Sequence, residues 1–182
     1  MSFLDDNSIS LFFATETWLK GNTNDITAKI KSLGFNIVHR PRNSPDKKRG
    51  GGVAIIHSKN ILITKVKTEH FASFESICAK LRLNNDDHIC LCSIYRPSEP
   101  VNQEFFSHLD EFLGSIFLKF TKFVICGDIN LHLDNHSDPN TVQFNDIIAS
   151  YGFEQFVQKS THEDGHLLDI ALTSNNMIKP NT

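Results

Sequence analysis

The segment Phe123-Val-Ile-Cys-Gly-Asp-Ile-Asn130 carries the strongest single indication of fold and function in this sequence. An apolar run that ends in Gly-Asp predicts a buried strand that delivers a carboxylate to the edge of a sheet. Side chains alternate along a strand, so a continuing strand would place the Asn130 amide on the same side as Asp128. A carboxylate that can hold a hard cation, beside an amide that can donate to an oxyanion, suits phosphate chemistry. Gly-Asp also forms ordinary turns, so this interpretation needs support from the rest of the chain.

The length and composition indicate one globular domain. The chain has 182 residues, 40% of them hydrophobic and 21% charged, which is enough to bury a core and argues against disorder. The formal net charge of −3 gives no global attraction to nucleic acid, so binding of that kind would need a local basic surface.

The cysteines all lie in apolar, strand-like stretches, as Cys78, Cys90, Cys92 and Cys126. Zinc sites usually contain close pairs such as Cys-x-x-Cys, and no such pair occurs, so the spacing does not predict a zinc site. Cys90 and Cys92 would point to one face of a strand as small buried hydrophobic groups, as is usual in a reducing compartment.

The N-terminus and the apolar runs indicate an intracellular protein. Asp5 and Asp6 precede the first short apolar stretch, which is not typical of a signal peptide. No apolar run reaches the length of a membrane span. We therefore expect a nuclear or cytoplasmic location, no secretion and no membrane partner.

Apolar periodicity predicts a mixture of strands and helices. Besides the segment at 123–130, strands are predicted at 9–14, 35–39, 53–56, 61–66, 74–83, 89–95 and 167–172. Helices are predicted from Asn24 to Gly34, from Asn102 along a phenylalanine-rich face, and from Asp138-Pro139 to Gly152. The phenylalanine face is typical of packed core, and we give it no functional role. The mixture fits two packed sheets flanked by helices.

Polar residues follow four of the predicted strands, as Glu16, Tyr95-Arg96, Asp128 with Asn130, and Asp169. Active-site groups tend to lie at strand ends and on the loops beyond them. If these residues converge, Glu16 would be a magnesium ligand and Asp128 would orient or deprotonate the attacking water. Judged singly, each has an ordinary structural explanation, and only the pair in the first segment stands out.

The other polar residues would contact the substrate phosphate. Asn130 would bond the phosphoryl oxygens, and Tyr95 and Arg96 would contact phosphate, the latter as a planar fork. Convergence depends on the fold, because Glu16 and Asp128 are far apart in sequence.

Five segments taken together resemble a known family. They are Thr15–Leu19, Arg49–Ile55, Ile94–Pro97, Gly127–Asn130 and Thr161–Ile170. They occur in the order found in endonuclease/exonuclease/phosphatase domains, and most resemble the apurinic-like endonuclease of non-LTR retrotransposons. The resemblance spans roughly residues 9 to 175.

The resemblance implies a DNase I-like, four-layer α/β sandwich and cleavage of DNA that depends on Mg²⁺, with Mn²⁺ as a possible substitute. It also implies a reverse transcriptase domain in a longer parent protein. By motif, Glu16 would be the metal ligand and Tyr95 the active-site tyrosine, while Asp128 and Asn130 would be catalytic. Asp169 would be a further catalytic residue, matching the acid that supports the phosphate-contacting or histidine-positioning network.

The resemblance also implies substrate-binding residues, namely Arg96, Thr161 and Arg49. His166 falls in the retroelement-like segment, and we interpret it as a loop residue and not a base. No organic cofactor is implied.

The sequence departs from the family pattern in three places. It lacks the Asn-bearing strand that normally precedes the Glu strand, it contains no Ser-Asp-His triplet, and Ser98 stands where a second proline is usual. We therefore expect a single domain over residues 1–182 that is incomplete at both ends. Loss of a general acid or base costs about 10²–10⁴ in rate, so we expect weak or absent activity of this chain alone.

Two alternatives remain open. The first is a phosphatase of the same fold, acting on an inositol phosphate or a lipid headgroup. The second is a non-catalytic remnant that binds nucleic acid through the basic loop containing Arg40, Arg42, Lys47, Lys48 and Arg49. That loop is equally interpretable as a solvated surface.

Overall fold

The architecture is a pair of packed β-sheets. The computed structural model describes residues 9–20, 24–42, 50–83, 87–98 and 100–175. The first sheet is antiparallel with strand order β1-β3-β2. Its strands are β1 (Leu11–Ala14), β2 (Phe35–Arg40) and β3 (Val53–Ser58).

The second sheet has the strand order β4-β5-β6-β7-β9-β8. Its neighbours run antiparallel except β6 and β7, which run parallel. The strands are β4 (Ile63–Val66), β5 (Glu75–Arg82), β6 (His88–Tyr95), β7 (Phe123–Asp128), β8 (Phe153–Gln155) and β9 (Asp169–Ser174).

Three helices connect the strands among the described residues, α1 (Asn24–Ser32), α2 (Gln103–Phe117) and α3 (Pro139–Ser150). The start of α2 is fixed by the Asn102 side chain, which accepts from the Phe105 N–H at 3.1 Å. Asp138 caps α3 in the same way, and Pro139 occupies the first turn. Helix α2 is the crossover that a parallel pair such as β6 and β7 requires.

The apolar core has two parts, one on each face of the second sheet. Helices α2 and α3 cover one face, and the phenylalanine side chains of α2, Phe105, Phe106 and Phe112, are at most 2% exposed. The first sheet covers the other face through Val53, Ile55 and their neighbours. The predicted packed sheets flanked by helices, and the predicted core role of the phenylalanines, are confirmed.

The buried cysteines form a group that their sequence spacing does not reveal. Cys78 and Cys92 are directly opposed on β5 and β6, and Cys90 lies on the same face. The three Sγ atoms lie within 4.8 Å of one another, and all three residues are fully buried. Burial raises the pKa of the Cys92 thiol, so the neutral form is favoured and packs as a small apolar group.

Strand ends differ from the predictions where side chains capture backbone groups. The predicted strand at 167–172 begins instead at Asp169, because the Leu167 N–H donates to Asp134 Oδ1 and the Leu168 N–H to Thr161 Oγ1. The three-residue strand β8 was not predicted, since it is too short to show a period. Within the described ranges, no helix is long and apolar enough to cross a membrane.

Candidate active site

The polar residues predicted from the sequence lie together at one end of the two sheets. Tyr95 ends β6 beside Asp128, which ends β7, and Asp128 is paired in turn with Asp169 at the start of β9. Glu16 follows β1 in the other sheet and hydrogen-bonds the Tyr95 side chain. The predicted convergence is therefore present, and what each residue does there remains a prediction.

Glu16 is held by a tight loop that pairs with the glycine run before β3. Its φ is 49°, and the following backbone donates from Thr17 to Gly52 O at 3.1 Å and from Trp18 to Gly51 O at 2.9 Å. Glu16 Oε2 accepts from the Gly51 N–H at 2.6 Å and from the Trp18 indole at 2.8 Å. This network fixes the position of the carboxylate.

The surroundings of Glu16 keep it ionised. Burial raises its pKa, but hydrogen bonds from Tyr95, Gly51 and Trp18, together with the charge of Arg42, outweigh burial and lower the pKa overall. The ionised carboxylate is the form that binds a cation.

Gly51 suits this place because its φ of 73° lies in the left-handed region that favours glycine. A Cβ there would lie 2.2 Å from Arg42 Nε, so the Arg42 side chain would have to move. Without a side chain, the backbone approaches closely enough for its N–H to reach Glu16. The glycine run before β3 therefore forms the wall that holds the acid.

Arg42 and Glu75 form a supporting ion pair that the sequence analysis missed. Glu75 also accepts from the Gly52 N–H, and the Arg42 guanidinium lies over the Tyr95 ring at 5.7 Å. The β5–β6 register pairs Glu75 with Tyr95. The sequence does not predict this pair, because the contact depends on the register of the two strands.

Asp128 lies in a strongly acidic environment. Burial raises its pKa, and the negative charges of Asp169 and Glu16 raise it further. The hydrogen bond from the Asn130 N–H and the positive charge of Arg96 lower it, but the net shift is upward. Its carboxylate is therefore a better proton acceptor than an exposed aspartate.

Asn130 lies beside Asp128, as predicted, but the predicted reason is wrong. Strand β7 ends at Asp128, and Asn130 has a left-handed φ of 47°. Its backbone N–H donates to Asp128 Oδ1 at 2.9 Å. Its Nδ2 donates to Arg96 O at 2.7 Å and to Asp128 Oδ2 at 3.2 Å. A turn, and not strand alternation, brings the amide and the acid together.

Arg96 positions the loop that carries Asn130. It is 4% exposed, and its Nε and Nη2 donate to the carbonyl oxygens of Ile129 and Asn130, both at 2.7 Å. Burial lowers its pKa. These contacts fix the turn after β7, while the predicted contact with substrate phosphate remains a prediction.

Thr161 fixes the start of β9. Its Oγ1 accepts from the Leu168 N–H at 3.1 Å and from the Asp169 N–H at 3.2 Å. Gln155 Nε2 donates to Asp169 O at 3.1 Å. Thr161 thus holds the backbone of the third acid, and its predicted contact with substrate is untested.

His166 joins the loop before β9 to the loop after β7. Its ring stacks on that of His132 with centroids 3.9 Å apart and planes 7° apart. Its Nδ1 lies 3.2 Å from Asp134 Oδ2. These contacts fit the predicted loop role and connect the segments that carry Asn130 and Asp169.

The basic loop is only partly described. Arg49, Lys47 and Lys48 lie outside the described residues. Arg40 donates to Thr68 Oγ1 at 3.3 Å, and Arg42 is paired with Glu75. Both described arginines therefore contact the protein itself, and nucleic-acid binding by the basic loop remains a prediction.

Glu16 offers carboxylate oxygens, the ligands that Mg²⁺ and Mn²⁺ prefer. Asp128 and Asp169 do not join it in a three-ligand group, because among the described residues only the three buried cysteines bring their ligand atoms within 4.8 Å of one another. A cation bound by Glu16 would relieve the repulsion that, after burial, raises the pKa of Asp128.

A cavity of about 430 Å³ opens beside these acidic residues. Arg96 and Asn130 form one wall, and Ser98, Asn135 and Asn140 are among its other polar residues. Asn130, which donates to Asp128, is the lining residue that joins the cavity to the acidic residues.

Solved structures share this architecture. The human Nocturnin catalytic domain with bound sulfate is 14% identical to this chain. The match covers 94% of this chain and 71% of the Nocturnin chain, with a TM-score of 0.68. The endonuclease domain of TRAS1, a telomere-specific non-LTR retrotransposon, is 9% identical over 96% of this chain and 77% of its own, with a TM-score of 0.67.

A third structure contains DNA. The 3′ phosphatase NExo from Neisseria, bound to a product DNA hairpin, is 15% identical over 96% of this chain and 79% of its own, with a TM-score of 0.63. No family model and no curated protein matches the sequence. The chain has the DNase I-like fold of endonuclease/exonuclease/phosphatase proteins, as the resemblance predicted.

Proposed function

We propose that this chain is a metal-dependent phosphodiesterase that cleaves DNA, of the retrotransposon endonuclease type. The supporting observation is the pair Glu16 and Asp128, which come from different sheets close enough to repel each other and have pKa values shifted in opposite directions. Such separation is typical of a site where one acid stays charged and another exchanges a proton.

Asp128 would take the proton of the attacking water. Its raised pKa makes it a stronger base than an exposed aspartate, and general-base catalysis contributes about 10²–10⁴ in rate. A magnesium ion held by Glu16, with Asp128 and Asp169 nearby, would stabilise the charge that develops on the phosphoryl oxygens.

Asn130 would donate to a phosphoryl oxygen. Its 2.7 Å bond to Arg96 O anchors the amide, and its longer 3.2 Å bond to Asp128 is the one that a phosphoryl oxygen would replace. Arg96 acts through this residue, because it fixes the turn from which the amide projects.

DNA is the substrate class that the similar proteins favour. The TRAS1 domain is an endonuclease, and the Neisseria structure holds DNA. A longer parent protein with a reverse transcriptase belongs to this proposal. Because the Neisseria protein is a 3′ phosphatase, removal of a terminal phosphate from DNA is the second candidate function.

Nicking of supercoiled plasmid tests the proposal, with the protein in molar excess because we expect a slow reaction. We expect nicking that needs Mg²⁺ or Mn²⁺ and stops with EDTA. Asp128→Ala should lower the rate about 10²–10⁴-fold. Leu118→Ala is the matched control, because Leu118 is 90% exposed and follows α2 at the opposite end of the sheet.

The alternatives give different results in the same preparation. Metal-dependent release of phosphate from a 3′-phosphorylated oligonucleotide, without nicking, would assign the phosphatase activity. Nicking that persists in EDTA, or that Asp128→Ala leaves unchanged, would contradict the proposal. DNA binding without either reaction would support the non-catalytic alternative.

A further inference from the structure

Trp18 is a large apolar side chain in an unusual place. It is the only tryptophan of the chain. It is 63% exposed, more than any other aromatic residue in the described ranges. Its indole Nε1, the only polar atom of the side chain, is bonded to Glu16, so the exposed surface is carbon.

The ring is fixed in this exposed position. The Trp18 backbone has a left-handed φ of 53°, and its N–H donates to Gly51 O at 2.9 Å. The indole donates to Glu16 Oε2 at 2.8 Å. A left-handed conformation at a bulky residue is unfavourable, and so is exposed apolar surface, and no core packing offsets either cost here. Such outliers are concentrated at functional sites.

We propose that Trp18 forms a binding site for an unpaired or extrahelical base next to the reacting phosphate, by stacking. This inference rests on the proposed function. The hydrogen bond to Glu16 places the indole beside the proposed metal ligand, so a nucleotide with its phosphate there has its neighbouring base within reach of the ring. Every base offers a π face to an aromatic side chain.

Trp18 has two separable roles in this proposal. Its ring binds a base, and its Nε1 positions the Glu16 carboxylate. Trp18→Phe keeps an aromatic face and removes the donor, whereas Trp18→Ala removes both. Stacking on one base corresponds to about a 5- to 150-fold change in affinity.

The intrinsic fluorescence of the single tryptophan measures base binding directly. We expect a duplex with one bulged adenine to quench Trp18 emission in Mg²⁺, and a fully paired duplex to quench it less. Heparin, a polyanion without bases, is the control and should leave the emission unchanged.

The anisotropy of a labelled bulged duplex measures the affinity of the variants. By this measurement, Trp18→Ala should lose about 5- to 150-fold in affinity. Trp18→Phe should lose less affinity than Trp18→Ala. Both variants lack the indole donor to Glu16, so both should nick DNA more slowly than the wild type.

The outcomes separate this inference from the proposed function. Nicking that persists while the bulged duplex causes no quenching would overturn the stacking site and leave the endonuclease proposal intact. Quenching without nicking would support the base site and contradict the endonuclease. Equal quenching by heparin, or equal affinity of Trp18→Ala and Leu118→Ala, would also overturn the inference.

Discussion

A Cβ atom on Gly127 would lie 1.7 Å from the carbonyl oxygen of Ile94 on the neighbouring strand. The backbone of β7 therefore approaches β6 more closely than any side chain allows, one residue before Asp128. The sequence Gly-Asp predicted a strand end but not this close approach, because a strand partner cannot be read from a single segment. The absence of a side chain at Gly127 therefore allows β7 to pair with β6 in the register that places Asp128 beside Tyr95.

Gly127→Ala should destabilise the protein by about 3 kcal/mol or more, since backbone atoms must move to accept the methyl group. Gly114→Ala is the matched control. It lies in helix α2, and a Cβ there meets only the Tyr151 hydroxyl, at 3.4 Å. That change should be neutral or stabilising by up to about 1 kcal/mol. Urea unfolding compares the two, and equal destabilisation would contradict the close approach.

Asp128 should make the metal-free protein less stable at neutral pH. Burial and the neighbouring acids raise its pKa above 3.8 in the folded state, so the folded protein binds this proton more tightly than the unfolded chain does. The stability it contributes is present at low pH and is lost as the pH rises through the raised pKa.

In EDTA at pH 7, Asp128→Asn should therefore raise the unfolding midpoint while it lowers nicking. The gain over the wild type should shrink as the pH is lowered, because protonation then neutralises the wild-type carboxyl as well. Thermal unfolding at several pH values measures this. A variant that is less stable than the wild type at pH 7 would show that the charge of Asp128 is compensated.

At the scale of the elements, hairpin β5–β6 shows what the apolar periodicity of the sequence can and cannot predict. Its alternation predicted both strands and the shared face of Cys90 and Cys92. It did not reveal Cys78 in the same group, because that contact depends on register and not on spacing within a strand. The turn after β7 was mispredicted for a related reason, since a left-handed residue such as Asn130 leaves no periodic signal.

The thiols should be inert in the folded protein. Cys78, Cys90 and Cys92 are fully buried, so a reagent cannot reach them, even though hydrogen bonds from Cys78 and Cys92 lower the pKa of Cys90 to about 5. Burial raises the pKa of Cys126 to about 11. Reactivity follows the exposed thiolate, so a thiol reagent at pH 8 should label all four only after unfolding. Peptide mapping after a short pulse checks this. Rapid labelling of any of the three buried strand thiols would contradict the packing of the hairpin.

At the scale of the whole molecule, the site depends on the packing of two sheets. Glu16 and Asp128 come from different sheets, and the Ser93 hydroxyl on β6 donates to Ala14 O on β1 at 3.2 Å, close to both. The resemblance predicted which residues belong together, through the order of five motifs. The alternation of apolar residues could not predict this grouping, because it describes each strand separately and contains no information on which sheets pack together.

Magnesium-dependent stabilisation tests the shared site most directly. The free energy of unfolding of the wild type, Glu16→Gln and Asp128→Asn is measured in EDTA and in increasing Mg²⁺. A single site predicts that free Mg²⁺ at ten times its Kd stabilises the wild type by about 1.4 kcal/mol. Both variants, although they alter different sheets, should lose most of this gain, and Leu118→Ala should keep it. An equal gain in all four proteins would contradict a metal site formed by both sheets.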